Sequence, residues 1–79
     1  MLAEHHLGHR IEARASELRG RWGFEYRVYD FPKPGRGFRG TSASLEYRHE
    51  DEALRAGVDV AREQLETFDS LHRIEAALC

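Results

Sequence analysis

His5-His6-Leu7-Gly8-His9-Arg10-Ile11-Glu12-Ala13-Arg14-Ala15-Ser16-Glu17-Leu18-Arg19-Gly20 decides the fold, because it reads two ways. As a helix, it puts Leu7, Ile11, Ala15 and Leu18 on one face, and Gly20 supplies a C-cap. As a strand, it places Leu7, His9, Ile11, Ala13 and Ala15 on one side of the pleat. Local propensity favours the helix, since Ala, Arg, Glu and Leu dominate the segment. The economics of a sheet favour the strand. Two strands under one helix are barely viable, and a third makes an independent unit.

Downstream the reading is firmer. Residues 22–31 form a strand in which Trp22, Phe24, Tyr26 and Val28 alternate with Gly23, Glu25, Arg27 and Tyr29. Alternation puts Tyr29 and Phe31 on the face away from Trp22–Val28, beside Arg27, where they shield the sheet or meet a partner. Pro32 and Pro34 end the strand, because neither can donate to a ladder. A second strand is predicted over 41–48, with Thr41, Ala43, Leu45 and Tyr47 on one side. The two make a hairpin joined by Phe31-Pro32-Lys33-Pro34-Gly35-Arg36-Gly37-Phe38-Arg39-Gly40, a connection with three cations and no acid.

The C-terminal third reads as one long helix. Glu50, Asp51 and Glu52 suit the positive end of its dipole. Leu54, Val58, Ala61, Leu65 and Phe68 make a stripe wide enough for a small sheet. A second stripe, Ala53, Ala56, Val60, Leu71, Ile74 and Leu78, lies about 120° round the helix. It requires the N-terminal segment, a bend near Asp69-Ser70, or another chain. We expect a two-fold dimer through Val60, Leu71, Ile74 and Leu78; coverage from within by Leu2 and Leu7 is the alternative.

Seventy-nine residues predict a single domain over 1–79 with a small core. The composition, 41% hydrophobic and 33% charged, is that of a globular chain. Charge is divided along it. Residues 1–45 hold eight Lys/Arg against five Asp/Glu, and residues 46–79 hold four against nine. A lone thiol, Cys79, makes no internal disulfide. No signal-like or spanning apolar run is present, so the expected compartment is the cytoplasm.

Gly8-His9-Arg10-Ile11, Trp22-x-x-x-Tyr26-Arg27-Val28-Tyr29 and Glu50-Asp51-Glu52-Ala53-Leu54, followed by Gly57 and Ala61, resemble small uncharacterised open reading frames of proteobacteria and phages. The resemblance implies β-β-β-α order and no activity. The expected fold is therefore α+β, a three-stranded antiparallel sheet packed by one long C-terminal helix, with α-β-β-α as the alternative. In size and two-signed surface the chain is also similar in type to anti-CRISPR inhibitors. No motif underlies that second likeness, so it assigns no residue.

Catalytic chemistry finds little support. Gly35-x-Gly37-x-x-Gly40 matches the letters of a dinucleotide fingerprint and follows a strand, but no helix comes after its last glycine. Glu4, His5, His6 and His9 look metal-like, yet nothing completes a four-ligand shell. No serine sits in an activated context, and His49 and His72 have no nucleophile in register. No enzyme activity, cofactor or metal is expected.

The expected function is non-catalytic. An inhibitor of phage or mobile-element origin would dock on a host protein or ribonucleoprotein complex that handles nucleic acid. Glu52, Asp59, Glu63 and Glu66 would take the place of phosphate there. Lys33, Arg36, Phe38 and Arg39 of the basic loop are a second candidate contact. The alternatives are a direct nucleic-acid-binding domain using residues 31–40, with arginines on phosphates and a Phe ring on a base, and an orphan interaction domain. The acidic helix leads us to expect little affinity for free DNA or RNA.

Overall fold

The computed structural model describes residues 1–31, 35–42 and 44–78, with side chains as far as residue 71. The ambiguous segment is extended. It contributes to two strands, β1 (Leu2–His6) and β2 (His9–Leu18), which pair antiparallel with His6 opposite His9. Leu7 and Gly8 form the turn between them, with φ of 51° and 79°. The next turn repeats this chemistry: Arg19 and Gly20, at φ 55° and 78°, join β2 to β3 (Arg21–Tyr29). Positive φ at both central residues suits a two-residue hairpin, because such turns match the twist of the flanking strands. Gly20 is thus a hairpin glycine and not a helix cap, and the α-β-β-α order is excluded. Helical propensity in β2 yields to packing, since the extended form buries Ile11 and Ala13 completely.

β4 (Gly37–Thr41) completes the sheet, whose strand order is β1-β2-β3-β4 with every pair antiparallel. The expected three strands are therefore four. The last also starts earlier than predicted, taking Phe38 and Arg39 out of the loop. Of the residues assigned to the 41–48 strand, only Thr41 lies in β4. Ser42 prolongs the pairing: its N–H donates to the Phe24 carbonyl at 2.9 Å, and its hydroxyl accepts from the Phe24 N–H at 3.1 Å. Further on, Tyr47 makes an isolated two-way bridge to Trp22, at 2.7 and 3.1 Å. Leu45 is 36% exposed and lies over Gly23, and Ala43 is outside the described residues.

α1 (Glu50–Leu78) covers one face of the sheet. Ala53, Leu54, Val58, Ala61 and Leu65 from α1 form the core with Ile11, Ala13, Phe24, Tyr26, Val28 and Phe31. The helix comes closest at Gly57, where a Cβ would meet the Phe24 ring at 3.1–3.2 Å. At the far end Phe31, Phe38 and Phe68 pack together, with the His9 ring edge-on to Phe31 at 4.9 Å. Phe31 therefore faces the helix, not the open face expected from alternation. The strand stops at Tyr29, and Asp30, at φ 55°, redirects the chain. Among the described residues no helix is long and apolar enough to cross a membrane.

Candidate functional site: two faces of opposite charge

A salt bridge and a histidine–carboxylate hydrogen bond fasten β1 to the helix. Arg55 Nη1 lies 3.0 Å from Glu4 Oε1, and His6 Nε2 lies 2.7 Å from Glu66 Oε1. Glu66 is therefore engaged at the flank of α1. Glu52, Asp59 and Glu63 are exposed and make no ion pair within 4.0 Å among the described residues. They share one side of the helix, since the intervals of seven and four residues return to nearly the same angle.

The basic decapeptide is divided by the strand boundary. Lys33 lies outside the described residues. Gly35, at φ 80°, closes the turn by donating its N–H to Asp30 Oδ1 at 2.9 Å, which leaves Arg36 exposed. Phe38 is half-buried against Phe31 and Phe68, so its ring serves the core before any partner. Arg39 sits in β4 directly opposite Arg27 of β3, on the face turned away from α1.

That open face holds an assembly of side chains from three strands. A shallow cleft of about 440 Å³ is lined by Glu12, Arg14, Glu25, Arg27, Tyr29 and Arg39, among others. The Arg27 guanidinium lies 5.9 Å from the centre of the Tyr29 ring. Glu12 is engaged by Arg10, which donates to it at 3.4 Å. The Tyr29 hydrogen bond is the main cause holding its carboxyl below the usual range; desolvation opposes it and Arg10 and Arg14 assist. On the opposite face burial raises the Tyr26 phenol, partly offset by the hydrogen bond it donates to Gln64.

Strand alternation makes Arg27 and Tyr29 neighbours in the sequence itself. Arg14 could have been added had the register of β2 against β3 been known. Arg39 could not, because only the β3–β4 register sets it opposite Arg27. The residues of the expected dimer stripe are dispersed in burial. Val60 packs partly buried against the core, Leu71 is 52% exposed, and the side chains of Ile74 and Leu78 lie outside the described residues. Of the three N-terminal histidines, His5 stands opposite Arg10, while His6 and His9 are cross-strand partners whose rings turn to Glu66 and Phe31 respectively. Among the described residues no three His, Cys, Asp or Glu side chains converge as a metal site would need. Together these features define a two-layer α+β domain with an acidic helix side and an open sheet face rich in arginine. Comparison with protein-family models, curated proteins and solved structures returns no match for the chain.

Proposed function

We propose that the chain is a non-catalytic inhibitor of phage or mobile-element origin, anti-CRISPR-like in type, that docks on a host complex handling nucleic acid. The supporting observation is the row Glu52, Asp59 and Glu63: three exposed carboxylates on one side of a helix, with no ion-pair partner among the described residues. A basic surface that normally holds phosphates would accept such a row, and complementary charge would speed the encounter. The domain needs no chemistry for this, only a rigid support, and the sheet supplies it.

The test is capture from host lysate with native protein and with Glu52→Lys/Asp59→Lys/Glu63→Lys. The native chain is expected to retain a nucleic-acid-handling complex, heparin to displace it, and the reversed variant to lose it at an unchanged fold. Capture that survives the reversal, or ignores heparin, would remove the acidic row from the interface. A second reading, direct contact with nucleic acid, is favoured by the exposure of Arg36 and Arg39 close to Arg27.

A further inference from the structure

We infer that the open sheet face carries a phosphate-binding site, formed by Arg27 and Arg39 with Arg14 at its side, that takes the backbone of a single-stranded nucleic acid. The inference rests on the second reading above and is independent of the helix side.

Arg27 and Arg39 are direct partners across the antiparallel β3–β4 ladder. Side chains so placed have Cβ atoms about 4.5–5.5 Å apart, and like charges there are destabilising. A fold shaped only for stability would place a carboxylate at one of the two positions. Here neither guanidinium has an ion-pair partner within 4.0 Å among the described residues, and the same holds for Arg14. The nearby carboxylates make no ion pair with either arginine within 4.0 Å among the described residues. Glu12, across from Arg27 on β2, pairs with Arg10 instead, at 3.4 Å. Glu25 stands across from Arg14 on one side and Thr41 on the other.

An anion set between Arg27 and Arg39 converts that repulsion into two attractions. Guanidinium forks match the oxygens of phosphate as paired hydrogen bonds, and phosphate has oxygens enough for more than one fork. A sheet face that carries an aromatic ring beside its cations is a platform of the kind on which splayed single-stranded bases stack. The Tyr29 ring, half-buried beside Arg27, offers a surface against which a base can stack. Arg27 and Arg39 also line the adjoining cleft that contains Arg36, so the backbone has a path on toward the β3–β4 turn.

The experiment is fluorescence anisotropy of a labelled twelve-nucleotide oligothymidylate at low salt, with thermal melts of each variant. We expect the native chain to bind and Arg27→Gln/Arg39→Gln to lose at least about tenfold in affinity. The log–log salt dependence should become shallower by about 0.7, the value for one phosphate contact removed on a single strand. That variant should melt no lower than the native chain, because it also removes the like-charge pair. Arg21→Gln, a neutralisation on the same face outside both clefts, should bind nearly as the native chain does. Competition separates the phosphate sources. Displacement by unlabelled oligonucleotide but not by equimolar inorganic phosphate supports a backbone path, whereas equal displacement by inorganic phosphate would overturn the polymer assignment. Stronger competition by polyglutamate would assign the face to an acidic protein instead. Absence of native binding would overturn the site and the second reading together. Retained binding in the double variant would overturn the site alone, and a large fall in its melting temperature would show the arginine pair to be structural.

Discussion

Leu65→Ala is expected to lower the melting temperature by roughly 10–30 °C. Leu65 is fully buried in the layer between α1 and the sheet, and it is among the largest side chains to be so. Truncating a buried leucine costs about 2–5 kcal/mol, from lost transfer energy and from the cavity that remains. A chain of 79 residues has on the order of 4–12 kcal/mol in total. In so small a domain each kcal/mol moves the midpoint by about 4–8 °C. Circular dichroism melts of the variant and of Leu71→Ala, whose parent side chain is 52% exposed, give the comparison. The second should stay within a few degrees of the native chain. A shift for Leu65→Ala as small as that for Leu71→Ala would show that α1 does not dock along this stripe.

Gly37→Ala is expected to detach β4, at a cost of about 1–3 kcal/mol or more. A Cβ at Gly37 would run into the carbonyl oxygen of Val28, at the pair that opens the β3–β4 ladder, and a backbone atom cannot turn aside as a flexible side chain can. The strand would have to move away from β3, carrying Phe38 from the Phe31–Phe68 cluster. Gly8→Ala provides the contrast. Nothing lies within 4 Å of its Cβ position, but its φ is +79°, so the penalty there is conformational, about 1 kcal/mol. Amide hydrogen exchange distinguishes the two: Gly37→Ala should deprotect β4 and its partners on β3, and Gly8→Ala should leave protection in β4 unchanged. Full protection of β4 in Gly37→Ala would refute the close approach.

The difference between these glycines also marks what could be read from the chain. β3 and α1 were legible because their apolar residues repeat at one period over many positions. Trp22, Phe24, Tyr26 and Val28 share a side, and Leu54, Val58, Ala61 and Leu65 share a stripe. The first two hairpins were not, because Leu7-Gly8 and Arg19-Gly20 depend on non-glycine residues with positive φ, and neither pair carries the Asn-Gly or Asp-Gly that signals such turns. β4 was hidden by its glycines. Gly37 and Gly40 weaken any strand reading, yet both are needed for close approach, Gly37 to the Val28 backbone and Gly40 to the Tyr26 ring. Phe31 was misplaced because alternation was carried one turn too far, past Asp30. The acidic row follows directly from helical spacing. The arginine pair follows from register, which periodicity within one strand does not contain.

The strand order β1-β2-β3-β4 has a consequence for how quickly the native state is reached. Each strand pairs only with its neighbour in sequence, and the first two connections are two-residue turns. Loop closure before each pairing is therefore short, and its entropic barrier low. Docking of α1 is the long-range step, because it brings residues 50–65 against β2. The sheet should thus form early and the helix lock it late. Destabilising changes on the α1 side of the core, Leu65→Ala among them, should then act mainly by speeding unfolding, while refolding after a denaturant jump keeps nearly its native rate. A refolding rate that falls in step with the lost stability would place the helix in the nucleus instead.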